Sequence, residues 1–456
     1  MEKPGLPSGT RDFGAEVMKQ RRYITGIMQE VFEQHGFGAL ETPALENLKT
    51  LQGKYGDEGD QLLFKILNSG DFLSKANESL LQEKNSKAVV SEISDRGLRY
   101  DLTVPLARYV VMNRDKIQFP YKRYQMQPVW RADRPQKGRY REFWQCDIDV
   151  VGSNSIVSET ELVAMYQEVF KQLNLGVMVR VNHRLILDAF LPLAGSLDAW
   201  TQFMVCIDKA DKIGAEGVSK ELNERQLGQM VSAWEFLNQT QQLAGNEEKL
   251  AAIESYRQKI ESETHLLGLD RGVKELKMML AMLDNKGNVE LDVTLARGLS
   301  YYTGCVFEVV VNDSQVPADF KIGSIGGGGR YDNLTGMFGL KDVSGVGVSF
   351  GLDRIYDVML AANLFPNNLM NAADTWLVCA MDEQCLPYGY KIAESLRKEG
   401  KKAELYPGTP KLKKQLDYAN ARGYGFAVIV GDQEMNSQTM VVKNLLTGEQ
   451  ETQKLK

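Results

Sequence analysis

Apolar residues recur at helical spacing early in the chain. Ile24, Ile27, Met28 and Val31 fall at i, i+3, i+4 and i+7, which predicts an amphipathic helix over 15–35 closed by Gly36. The segment FGALETPALE that follows reads as extended, with Pro43 on an edge or interface strand. From 97 to 180 the pattern predicts a helix over Val104–Asn113, then strands, then a helix over Ser158–Leu173. Residues 185–283 are rich in Glu, Lys, Gln, Leu and Ala and read as a helical module set between two strand-rich parts. Strand patterns return over 289–354 in VELDVTLA, CVFEVVV, FKIGSIGG and GVGVSFG. Beyond PNNLMNAAD, strands TWLVCAM, KAELY and FAVIVG alternate with helices over 384–399 and 410–422. This alternation predicts a small α/β domain.

Composition narrows the function classes. With 43% hydrophobic and 25% charged residues, the 456-residue chain is an ordinary globular protein of several domains. Its net charge of −6 gives no global basic footprint, so any site for a polyanion must be a local patch. Five scattered cysteines without a CxxC pair argue against a disulfide framework or zinc ribbon and predict a reducing, cytoplasmic setting. The opening MEKPGLPSGTRDF predicts no signal peptide, and no apolar run is long enough for a membrane helix. His35, His183 and His265 are isolated from other ligating residues and no GxSxG occurs. A zinc centre or a histidine-based triad is therefore not expected.

Local chemistry concentrates in VWRADRPQKGRYREFWQCDIDVV. Residues 121–141 hold seven basic side chains (Lys122, Arg123, Arg131, Arg134, Lys137, Arg139, Arg141) against one acid, Asp133. Two strands joined by a basic loop are predicted, with Arg139, Arg141, Phe143, Gln145, Asp147 and Asp149 on one face and Tyr140, Trp144, Cys146, Ile148 and Val150 on the other. A sheet with one wet face fits the same pattern. The grading from arginines through a lone aromatic to carboxylates suits a ligand with phosphates, a flat ring and a cationic end. In GVGVSFGLDRI, small residues at 345, 347, 349 and 351 share a face where a planar ligand or a packed neighbour fits, and Arg354 opens the next helix. ARGLSYYTG carries Arg297, Tyr301 and Tyr302 in a turn. The glycines of IGGGGRYD lack P-loop spacing and permit close approach of a backbone or a ligand, and in LRYDLTVPLARY Asp101 and Thr103 precede a helix that they could simply cap.

Together these motifs resemble the histidyl-tRNA synthetase family of class II aminoacyl-tRNA synthetases, over almost the whole chain. SGTRDF resembles that family's start, FGALETPALE its motif 1, WRADRPQKGRYREF motif 2 and GVSFGLDR motif 3. ARGLSYYTG and GGGGRYD resemble the two signatures particular to the histidine enzymes. LRYDLT resembles the eukaryotic-type variant, with Asp101 where bacterial members carry Glu, and Asp133 stands where Glu is commoner.

The resemblance implies an α+β catalytic domain with a six- or seven-stranded antiparallel sheet, in two parts over 1–184 and 284–365. It also implies a helical insertion over 185–283 and a C-terminal α/β anticodon-binding domain over 373–456. The implied reaction is activation of L-histidine by ATP, with Mg²⁺ carried on the phosphates and no protein-held metal, then transfer to tRNA(His) by a homodimer free of membranes. Arg131 and Arg297 are the implied catalytic pair. Asp101, Leu102, Thr103, Arg131, Gln145, Asp149, Arg297, Tyr301 and Tyr302 are the implied histidine ligands. Arg131, Asp133, Arg139, Arg141, Phe143 and Arg354 are the implied ATP ligands. Eight basic against three acidic residues in 391–414 suit an RNA backbone. Two rivals are a catalytically inactive regulatory subunit of ATP phosphoribosyltransferase and a class II enzyme for another amino acid. Intact Arg131, Arg297 and Arg354 with the 373–456 segment count against the first, and the Arg297–Tyr302 signature against the second.

Overall fold

The computed structural model describes residues 3–74, 76–136, 138–283, 288–297, 302–333, 335–369 and 374–455. Contacts divide the chain into two compact units, 1–364 and 365–456. The first is built on an eight-stranded sheet. In chain order its strands are β1 (Gly38–Ala39), β2 (Tyr121–Trp130), β3 (Glu142–Val151), β4 (Val177–His183), β5 (Val289–Leu291), β6 (Cys305–Val311), β7 (Gly326–Arg330) and β8 (Gly345–Gly351). The spatial order is β1-β2-β3-β8-β7-β6-β4-β5. The six inner strands pair antiparallel, while β1 and β5 add short parallel edges. The expected antiparallel sheet is therefore present, widened by one short strand at each side.

Helix α1 (Ala15–Gln34) forms where predicted. Ile24, Met28, Val31 and Phe32 are fully buried, and the helix ends at Gly36, whose φ of 77° needs no Cβ. Phe32 and α3 (Val157–Gln172) cover the apolar face of β8. Phe350 sits 5.4 Å from Phe32, 4.4 Å from Tyr166 and 5.7 Å from Phe170, ring centre to ring centre. Each such buried ring contributes about 1.5–3 kcal/mol, and this packing leaves the other sheet face open for chemistry. Helix α2 (Thr103–Met112) matches its prediction to within one residue.

Three expectations need correction. Pro43 lies in no strand; its segment is split between β1 and the short strand Leu45–Asn47, which belongs to a separate three-stranded sheet. The strand expected in FKIGSIGG begins only at Gly326 and runs through the glycines to Arg330. VELDVTLA is extended only over Val289–Leu291. Residues 184–283 are helical, as their composition indicates, and their contacts keep them within the first unit. Buried His183, on β4, meets Glu275 of α4 (Glu263–Met282) at 2.9 Å.

The second unit has a five-stranded sheet ordered β10-β9-β11-β12-β13, from β9 (Thr375–Ala380), β10 (Lys402–Leu405), β11 (Phe426–Val430), β12 (Thr439–Asn444) and β13 (Gln450–Lys454). β9 pairs parallel with β10 and β11, joined through α6 (Leu386–Lys398) and α7 (Leu412–Ala421). The closing antiparallel pair β12–β13 is an addition to the predicted alternation. Among the described residues no helix is long and apolar enough to cross a membrane.

Candidate active site

The open face of the large sheet floors a cleft of about 470 Å³. On β3, Phe143, Gln145, Asp147 and Asp149 face it, while Cys146, Ile148 and Val150 are buried behind. The predicted alternation holds from Gln145 onward, while Trp144, expected on the opposite face, also borders the cleft. Residues 139–141 precede the strand, so Arg139 and Tyr140 line the cleft and Arg141 does not. Arg141 turns away, its Nε donating to the Asp133 carbonyl at 3.0 Å. Leu102 is also absent from the lining. Its side chain is fully buried, and its carbonyl accepts from Arg123 at 3.2 Å. Tyr301 and Lys137 lie outside the described residues.

One end of the cleft is cationic. Arg131 donates from Nε to the Tyr100 carbonyl at 3.1 Å, and its guanidinium lies 4.3 Å from the Tyr100 ring centre and 5.2 Å from that of Phe143. Arg297 reaches Ser324 Oγ at 2.8 Å and the Gly326 carbonyl at 3.2 Å, with Glu308 at 3.5 Å. Arg139 pairs with buried Asp133 at 2.6 Å. Arg354, in the first turn of α5 (Leu352–Ala361), donates to the carbonyls of Gly138 at 3.0 Å and Ser324 at 2.7 Å. Its neighbour Asp353 ties that turn down through Arg21 at 2.7 Å and the Trp144 amide at 2.9 Å. Burial, and then the charges of Arg297, Arg139 and Arg131, lower the pKa of Arg354. Four guanidiniums crowded at one end of a cleft make a cradle for an anion.

The other end is acidic and closed. Asp101 accepts from the Tyr55 hydroxyl at 3.0 Å and the Val104 amide at 3.1 Å, so it does cap α2 while also lining the cleft. Asp149 is held by the Tyr331 hydroxyl and by Arg123, whose Nη2 lies 2.8 Å away. Burial raises the pKa of both carboxyls and pushes Asp147 up to about 7. Gln145 donates to Ser349 Oγ at 3.1 Å, leaving its own Oε1 buried without a partner.

Glycines make room for these side chains. A Cβ on Gly327 would stand 1.5 Å from Arg297 Nη1, one on Gly329 would stand 2.8 Å from the Tyr302 ring, and one on Gly347 would stand 1.9 Å from Asp149 Oδ1. The bare face of β8 is thus partly filled by protein: Tyr331 lies over Gly345 and Asp149 over Gly347. The structure brings Asp101, Thr103, Arg131, Asp133, Arg139, Phe143, Gln145, Asp149, Arg297, Tyr302 and Arg354 to one cleft. It keeps Asp147 and Ser349 on the faces that their alternation predicts and adds Tyr331 and, paired with Asp149, Arg123. The signal for Arg123 is its cross-strand position opposite Asp149; reading it requires the register of β2 on β3, which an eleven-residue connection leaves open. Outside the cleft, ligand atoms of Asp382, Cys385 and Asp432 lie within 4.8 Å of one another. There Asp382 caps the Cys385 amide at 3.0 Å, and burial pushes the Cys385 thiol up to about 11, so the group reads as a capped loop.

Comparison with known proteins agrees with this geometry. A family model described as histidyl-tRNA synthetase matches residues 9–355, and one described as an anticodon binding domain matches 375–456. A histidine–tRNA ligase of Phocaeicola vulgatus is 49% identical over 452 residues, 98% of this chain and 96% of the relative. One from Christiangramia forsetii is 47% identical over 460 residues, 98% and 97% of the two chains. The crystal structure of histidyl-tRNA synthetase from Nostoc sp. PCC 7120 superposes with a TM-score of 0.78 at 29% identity, covering 100% of this chain and 97% of that one. The family model spanning the cleft and the full-length relatives agree, and the chain belongs to the histidyl-tRNA synthetase family.

Proposed function

We propose that this protein is a histidine–tRNA ligase that forms histidyl-adenylate from L-histidine and ATP and then esterifies tRNA(His). One observation carries the reading: a single cleft joins a four-arginine cradle to a buried, carboxylate-lined part, with the Phe143 ring exposed to it beside Arg131. Triphosphate oxygens suit the cradle, adenine suits the Phe143 ring, and a small cationic amino acid suits the acidic end. In the first step a histidine carboxylate oxygen bonds to the α-phosphorus as the bond to the β-phosphate bridge breaks and pyrophosphate leaves. Positioning and charge stabilisation are the main demands of such a step. Arg131 and Arg297 take the α-phosphate, and Arg139 and Arg354 the outer phosphates. Asp101, Thr103 and Gln145 take the ammonium, and Asp149 and Tyr302 the imidazole. In the second step the terminal ribose hydroxyl of tRNA attacks the activated carbonyl carbon and AMP leaves.

Mg²⁺ carried on the nucleotide would neutralise phosphate charge. The carboxylates at the cradle end, Asp133 and Asp353, are already paired with Arg139 and Arg21, which favours an ion held by phosphate over one held by protein. We read 1–184 and 284–365 as the catalytic body, 185–283 as an insertion and 373–456 as the anticodon-reading part, in a homodimer working in the cytoplasm. Exposed Lys391, Lys398, Lys402, Lys411, Lys413 and Lys414 supply charge for RNA backbone in that last part. The test is charging: the protein, ATP, Mg²⁺ and labelled histidine should convert a tRNA(His) transcript to its acid-precipitable ester. Histidine binding without any ester would instead favour a regulatory subunit.

A further inference from the structure

Within the acidic end, Asp147 is a carboxylate that the fold leaves without a paired cation. Its Oδ1 is buried without a partner, and the carboxyl lines the cleft between Gln145 and Asp149 on the same strand face. Asp149 has its own cation: Oδ1 accepts from Tyr331, and Oδ2, though it accepts no hydrogen bond, lies 2.8 Å from Arg123 Nη2 as an ion pair. Arg123 is the obvious counter-ion for Asp147, but its guanidinium is turned elsewhere. Nη2 goes to Asp149 and the Leu102 carbonyl, and Nη1 approaches the backbone carbonyl of Asp147 at 3.4 Å. Across the strand pairing, Ser349 lies opposite Asp147, hydrogen-bonds its carboxyl and accepts from Gln145, which still leaves Oδ1 without a partner. Three carboxylates, Asp101, Asp147 and Asp149, thus gather near one fully buried arginine. A buried carboxylate without a paired cation is costly, and burial drives this one up to about 7. Alternate residues on a strand face stand about 6.6–7 Å apart, comparable to the reach of histidine from its α-ammonium to its far ring nitrogen.

We propose that Asp147 is a second carboxylate of the amino-acid pocket, whose unpartnered oxygen receives the α-ammonium of histidine while Asp149 faces the ring. This rests on the histidine-activating reading above. The ammonium is then held between Asp147 and Asp101, with the free Oε1 of Gln145 as a further acceptor, and its charge supplies the missing counter-ion. Asp147 thereby selects for an α-amino acid rather than for any imidazole.

Asp147→Asn keeps the shape and removes the charge, so it separates these roles. Three ligands are compared in ATP–pyrophosphate exchange: histidine as substrate, and histidinol, which keeps the ammonium, and 3-(imidazol-4-yl)propionate, which lacks it, as inhibitors. Expected in D147N are a rise of about 10–100-fold in the KM for histidine and a matching loss for histidinol, the scale of one hydrogen bond to a charged group. Inhibition by the desamino compound and the KM for ATP should stay at wild-type values. Asp147→Ser serves the same comparison should D147N fail to fold. Equal weakening of all three ligands, or of none, in an exchanging enzyme overturns this inference alone. A wild-type protein that exchanges with another amino acid and not with histidine overturns the functional reading itself and this inference with it.

Discussion

Two buried charge clusters lie on the same large sheet, and their difference separates scaffold from site. At the end of β7, Arg330 is saturated: Nε and Nη2 meet both oxygens of Glu159 at 2.5 and 2.7 Å, and Nη1 meets the Ser153 carbonyl at 2.9 Å and the Ser344 hydroxyl. Around Arg123 the same residue types leave Arg123 Nε, Asp147 Oδ1, Asp149 Oδ2 and Gln145 Oε1 without hydrogen-bond partners. Both arginines are buried, at 3% and 0% exposure, so burial does not distinguish them. What distinguishes them is whether the protein completes its own hydrogen bonds or leaves donors and acceptors for something else. Completed networks hold a fold together, and incomplete ones in a cleft await a ligand.

Removing one partner from the completed cluster gives the largest effect. Arg330→Ala strands the Glu159 carboxylate and should cost about 3–5 kcal/mol, read as a lowered midpoint in urea unfolding. Arg297→Ala acts on the site instead. The folded protein should keep histidine binding and lose about 10²–10³-fold in pyrophosphate exchange, the scale of one transition-state donor. Gly327→Ala should approach that loss by displacing the same guanidinium, whose Nη1 would stand 1.5 Å from the new methyl, since misplacement by about 1 Å can cost 10²-fold. Phe143→Ala should weaken ATP by about 1–3 kcal/mol in stacking, seen in the KM for ATP with the unfolding midpoint unchanged.

A further test is a pH signature. Burial pushes the Asp147 carboxyl from its ordinary 3.8 up to about 7, so between these values the folded form binds the extra proton and stability falls as pH rises. Arg123, Asp149, Asp101 and Ser349 are the groups around it. The melting temperature of Asp147→Asn, relative to wild type, should therefore climb from pH 4 to pH 7 and then level off. Glu275 has the opposite sign. Burial opposes its charge, but hydrogen bonds from His183 and Arg271 outweigh it and bring the carboxyl to about 2. Its contribution is present above the ordinary value of 4.5 and is lost as pH falls toward 2.

Much of the scaffold was legible from spacing alone. The strands Cys305–Val311 and Gly345–Gly351 lie where their alternation puts them, because each has one face fixed by a packed core. The start of β7 was misread because its glycines are chosen by neighbours distant in sequence, Arg297, Tyr302 and the Gly347 backbone, which occupy the space of the missing side chains. The hairpin β12–β13 was missed because QETQK carries no apolar face to signal a strand. Arg131, Arg139 and Arg354 stand out by charge in an acidic chain. Asp147 falls on the polar face by alternation alone, whereas Tyr331 and Arg123 acquire meaning only through strand register, which sequence distance conceals; Leu102, just before α2, has its side chain in the core.

The central claim is that the cleft activates histidine and no other amino acid. ATP–pyrophosphate exchange with each of the twenty amino acids tests it most directly. The account predicts exchange with histidine alone, dependent on Arg297. Exchange with a different amino acid, or none with histidine despite a folded protein, would contradict it.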